Sequence, residues 1–107
     1  MLTKEEIIDL IDVRIRNILE STIANYEKVK NSSEISIEGV LYVSKQISEQ
    51  RSFLENLDAI INETRNTSEE LMPIQNENIT KILAVSSYKL YDSENFVKEF
   101  FEADVTG

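Results

Sequence analysis

The chain has 107 residues and a mass of 12.3 kDa, with 20 Asp and Glu against 11 Lys and Arg, a formal charge of −9 and a pI near 4.5. It contains no His, Cys or Trp, one Pro and two Gly. Those counts exclude a disulfide framework, a thiolate nucleophile, a cysteine-held zinc or iron–sulfur centre, a Ser-His-Asp triad and a His-ligated di-iron bundle.

The length suits a single domain, and a hydrophobic fraction of 41% supplies a real but modest core. No apolar run approaches the ~20 residues of a membrane span. Glu5 and Glu6 stand where a signal peptide would carry basic residues, so a cytoplasmic protein is expected. Apolar residues recur at spacings of three and four, and sustained period-two alternation is absent outside Glu34–Glu38. The expectation is therefore all-α: a three- to four-helix antiparallel bundle spanning residues 1–107, with short loops.

Helix 3–30 should open on Thr3, which with Glu6 forms a capping box. Its stripe reads Ile8, Ile11, Ile15 and Ile18, then drifts to Leu19, Ile23, Tyr26 and Val29, a shift resembling a stutter. Asn31, Ser32 and Ser33 break it. Helix 34–65 carries the most regular, coiled-coil-like stripe, Val40, Val43, Ile47, Leu54, Leu57 and Ile61, and is the expected spine of the bundle. Gln50 fills the position skipped in that stripe; it is either a polar seam residue or an edge residue reaching water, with the edge preferred. Thr67 and Glu70 could cap a short turn, and Pro73 places a boundary near Met72. Helix 73–91 follows, then a candidate break at Asp92–Asn95, then helix 94–104, whose alternative is to continue 73–91 after a bend, with fraying from Asp104 to Gly107.

Three constellations could carry chemistry. Glu6, Asp9 and Asp12 have helical spacing suited to Mg²⁺, as in all-α nucleotide pyrophosphohydrolases, although the expected reading is dipole-friendly acids on a solvated face, with Asp12 facing Arg16. Arg14, Arg16, Lys45, Arg51 and Arg65 would have to converge to hold a nucleotide-type anion between subunits. The cations otherwise form no basic stripe, so direct nucleic-acid binding is disfavoured, and no cofactor is implied. Phe96, Val97, Phe100 and Phe101 form either the lid of the core or an anchor patch for a partner.

Two short elements, Tyr88–Asp92 and Phe100–Asp104, each read aromatic-x-x-x-Asp. This resembles the tail element of small helical substrates and partners in Gram-positive type VII secretion; the Trp-x-Gly turn of that family is absent here. The resemblance implies a helical secretion partner. The leading expectation is instead a non-catalytic helical interaction protein (an adaptor, inhibitor or assembly factor, of the kind bacteria and phages encode). Such a protein should self-associate through Val40, Val43, Ile47, Gln50, Leu54, Leu57 and Ile61, or through Phe96, Phe100 and Phe101.

Overall fold

A computed structural model describes the backbone of residues 1–106 and the side chains of 1–102. The described residues form three helical rods and no strand. The first rod joins α1 (Lys4–Asp9), a wider-wound π-helical segment (Leu10–Ile15) and α2 (Arg16–Lys30). The second joins α3 (Ile37–Glu55) to α4 (Leu57–Arg65), and the third is α5 (Met72–Thr106), entered by a single 3₁₀ turn at Glu69–Leu71. The particle is 57 Å long and 21 by 17 Å across. Its length matches the about 52 Å of a 35-residue α-helix.

Local chemistry explains the ends. Thr3 Oγ1 accepts from the Glu6 amide while the Glu6 carboxylate accepts from the Thr3 amide, the capping box expected. Ser36 caps α3 by accepting from the Gly39 amide. Ile35 lies over the Gly39 face, where a Cβ would come within 2.8 Å of Ile35 Cγ1. Pro73 sits in the first turn of α5, where its missing N–H costs little. Asn76 clamps the N-terminus, its amide accepting from the Leu2 N–H and donating to the Leu2 carbonyl. The Lys4 ammonium donates to the Arg65 carbonyl at the C-terminal end of α4.

Several expectations need correction. The break at Asp92–Asn95 does not form, and 73–91 and 94–104 are one helix. Ser93 is buried, donates to the Leu90 carbonyl within α5, and accepts from Asn25 Nδ2 on α2. A hydroxyl satisfied in both directions stays in a helix instead of ending it. The second rod is interrupted at Asn56, a poor helix former, so the longest helix and spine is α5. Thr67 Oγ1 donates back to the Glu63 carbonyl instead of capping with Glu70. Helix is described through Thr106, and the fraying expected at Gly107 lies outside the described residues.

The buried stripe of the first rod is Ile7, Ile11, Ile15, Leu19 and Ile23, with Ile8 and Ile18 only half-buried. Each step is four residues, which advances about 400° in an α-helix and would carry the stripe around the rod. The π-helical segment widens the turn where this happens, as seen in the Arg16 amide bonding to the Ile11 carbonyl five residues back. The suspected stutter is thus an extra residue absorbed in one wide turn.

Two apolar cores result. The first contains Ile7, Ile11, Ile15, Leu19, Leu57, Ile61, Met72 and Ile79; the second contains Ile23, Tyr26, Val29, Val43 and Ile47. Half-buried Leu54 packs against both.

Two outcomes are expected. Deleting exposed Val13 turns the spacing after Ile11 from four to three, which an ordinary α-helix holds on one face. The variant should unfold cooperatively with stability within about 1 kcal/mol of the parent, and loss of a cooperative melt would refute this account. The Thr3 amide and hydroxyl hold the Glu6 carboxyl below its ordinary pKa of 4.5. Its charged form is the one favoured by folding, so the cap's contribution is complete above pH 4.5 and disappears as pH falls through the lowered folded-state value. An NMR titration should show the Thr3 and Glu6 amides moving together in that acid window.

Candidate functional site

Contact between rods is most extensive between α2 and α3 and between α2 and α5. The second and third rods are therefore arranged around the first, and a groove runs between them. Its two sections share Lys81 and Ile82. The section nearer the chain's N-terminus has a volume near 380 Å³, bounded by Ile60 and Glu63 on α4 and by Gln75, Asn78 and Ile79 on α5. The other has a volume near 340 Å³, bounded by Glu49, Gln50 and Phe53 on α3 and by Val85, Ser86 and Lys89 on α5.

The groove is bracketed at both ends. At one, Gln75 Nε2 donates to Thr64 Oγ1 at 3.0 Å in a buried contact between α5 and α4. At the other, Tyr42 of α3 stacks on Phe96 of α5, with ring centroids 5.3 Å apart and planes 29° apart, both against Tyr26 of α2. Burial, reinforced by neighbouring Tyr42, raises the Tyr26 phenol well above its ordinary pKa. The Tyr26 phenol therefore stays neutral, and the three rings act as a packing joint.

Between the brackets the bundle has a polar waist, where Thr22, Gln50, Ser86 and Ser93 are all buried and separate the two apolar cores. Thr22 is satisfied by the Ile18 carbonyl, and Ser93 by Asn25 and Leu90. Gln50 and Ser86, 5% and 4% exposed, make no side-chain hydrogen bond to the described residues, and both line the groove. Apolar surface surrounds them: Phe53 and Ile82 are half-buried, while Val85 is 57% exposed. Charge follows the rims by sign, with Glu49 and Glu63 on the α3–α4 side and Lys81 and Lys89 on the α5 side.

Residues singled out from sequence fall elsewhere. Val43, Ile47, Leu57 and Ile61 are buried in the chain's own cores, and Val40 and Leu54 are half-buried. The stripe expected to meet another copy is thus largely spent on α1 and α2, because a chain this small needs it to close its own core. Gln50 sits in the waist at 5% exposure, with its amide end open to the groove, so it holds the seam position and still reaches water. Phe96 and Phe100 lie against the second core as a lid, while Phe101 stays partly exposed, edge-on to Phe100 at 5.1 Å.

The five cations do not converge. Arg16 bridges Asp12 at 2.9 Å and Asp58 at 3.2 Å, Arg51 pairs with Glu27, Arg65 reaches Asn62, and Arg14 and Lys45 are exposed. Among the carboxylates, Glu6 is engaged in its cap, Asp12 holds Arg16, and Asp9 is exposed. No group of three residues suited to a metal forms among the described residues. Of the aromatic-x-x-x-Asp elements, Tyr88 and Asp92 are exposed on unbroken α5, and the Asp104 side chain lies outside the described residues.

The comparisons add no relative. No protein-family model, curated protein or solved structure matches the chain. Among the described residues no helix is long and apolar enough to cross a membrane.

Sequence reasoning missed Val85, Ser86, Lys81 and Lys89. The available signal was the seven-residue repeat Met72, Ile79, Ser86, Ser93, Phe100, which puts two serines into an otherwise apolar row and leaves Val85 and Tyr88 off it.

Gln50→Leu offers a direct check on the waist. Replacing an amide that meets only the groove by a hydrocarbon of similar size, on a residue otherwise packed in the waist, is expected to stabilise the chain by about 1 kcal/mol, raising Tm by roughly 4–8 °C. A lower Tm would show that the amide is satisfied.

Proposed function

We propose that the protein is a non-catalytic interaction module (an adaptor, inhibitor or assembly factor) that receives a helical polypeptide in the groove between the α3–α4 rod and α5. The supporting observation is the groove itself: apolar walls, the polar ends of Gln50 and Ser86 open to it, exposed Val85 on its lining, and rims of opposite charge. That combination suits helix-in-groove recognition, in which an apolar face gives affinity and charged edges give orientation. From Gln75 to Lys89 the wall of α5 is about 21 Å long, room for roughly four turns of a docked helix. The scattered arginines and carboxylates give less support to a nucleotide-type anion site or a Mg²⁺ site. A cytoplasmic setting suits the cysteine-free sequence.

The test places a photo-crosslinking amino acid at Val85, with Glu20 on the exposed outer face of α2 as control. Irradiation of cells producing each variant should give a covalent polypeptide adduct from position 85 and none from position 20. Adducts from neither position, or only from position 20, would reject the groove as the docking face.

A further inference from the structure

Resting on that reading of the groove, the geometry points to a second copy of this chain as its occupant, docked about a two-fold axis parallel to the groove. The argument is the sign pattern of the rims. Lys89 and Glu49 line the same section of the groove, and Lys81 lines both that section and the one bounded by Glu63. A two-fold axis along the groove exchanges left and right rims without changing height. It therefore lays α5 of one copy on the α3–α4 rod of the other, bringing Glu49 to Lys89 of the partner subunit twice per dimer, the two being level by the register of the Gln75–Thr64 and Tyr42–Phe96 contacts.

The other face-to-face arrangement has its two-fold axis across the groove. It lays α5 on α5 in opposite directions, and because Lys81 and Lys89 are each four residues from Val85, centring there opposes lysine to lysine. Glutamate likewise opposes glutamate on the other rim. Like charges placed directly opposite disfavour that arrangement, so the rims choose between two otherwise similar packings.

The favoured arrangement is also sound in packing. The second rod runs opposite to α5, so four rods, two from each copy, alternate in direction around a centre formed by both grooves, as in an up-down four-helix bundle. Exposed Val85 would leave water, and the Gln50 amide would face Ser86 of the partner subunit. Even the narrower long side of the particle projects more than the roughly 800 Å² per partner of a standard interface. Each copy brings a charge of −9, which opposes association at long range and makes local pairing of the rims the more important.

The experiment is sedimentation equilibrium from low to high micromolar protein on four chains: the parent, Glu49→Lys, Lys89→Glu and the double swap, with helical content and melting of each recorded. The parent should dimerise. Each single reversal should weaken the dimer about tenfold or more, since it acts twice per dimer, and the double swap should restore affinity to within about threefold. A parent that stays monomeric at high micromolar concentration overturns the inference. So does a dimer insensitive to both reversals, or a double swap that fails to recover while remaining folded. The crosslink at position 85 separates the two levels: an adduct with a different protein, on a monomeric chain, rejects the second copy and keeps the groove, whereas no adduct rejects both.

Discussion

The structure depends on one apolar stripe repeated in steps of four. Ile7, Ile11, Ile15, Leu19 and Ile23 are the buried row of the first rod, and both other rods pack on that rod. A regular α-helix would rotate such a row by about 40° per step, until its ends faced different neighbours. The π-helical segment at Leu10–Ile15 removes part of that rotation early, so α1 and the wide turn face α4 while α2 faces α3 and α5. The first rod thereby becomes the common wall. Two helices seated on one wall are held at a distance from each other, and that distance is the groove.

The waist follows from the same arrangement. Where the lower and upper cores meet, the side chains are Thr22, Ser86 and Ser93 with Gln50, and not large hydrocarbons. Small hydroxyl residues on α2 and α5 allow close backbone approach, and Thr22 and Ser93 are satisfied by carbonyls of their own helices. Gln50 has no such outlet. An amide sealed without a partner would cost about 1–3 kcal/mol, a large share of the roughly 5–15 kcal/mol that stabilises a typical domain, and the Gln50 amide escapes that by reaching the groove. Its place there leaves a donor and an acceptor facing the groove.

Much of this fold is legible in the residues because the cues are local. Thr3 with Glu6, Ser36 before Gly39, and Pro73 after Met72 each act through bonds or clashes within one turn. What was misread required knowledge of a neighbour. Ser93 looks like a helix breaker until Asn25 is seen 3.0 Å away, and Ile8 looks as suitable for the core as Ile7 until the wide turn fixes the face. Gln50 shows the same limit: heptad spacing placed it on the seam, but only the second and third rods determine whether that seam is wet. The groove was least legible. It arises where two rods do not pack together, and Lys81 and Lys89 are unremarkable cations until Glu63 and Glu49 stand across from them.

The brackets at the ends of the groove determine what it can do. The Gln75–Thr64 hydrogen bond and the Tyr42–Phe96 stack tie α5 to the second rod on either side of the opening, so its width is set by the chain itself. An occupant therefore need not spend binding energy on separating the walls, and Phe53 and Ile82 are already ordered by packing against the first core. The lysines differ. Fixing a long side chain costs rotamer freedom, and an exposed ion pair is worth only about 0–1 kcal/mol once that cost is included. The apolar walls must then carry the affinity, and the charged rims contribute direction: they leave a correctly oriented occupant roughly unchanged in energy and penalise the reversed one.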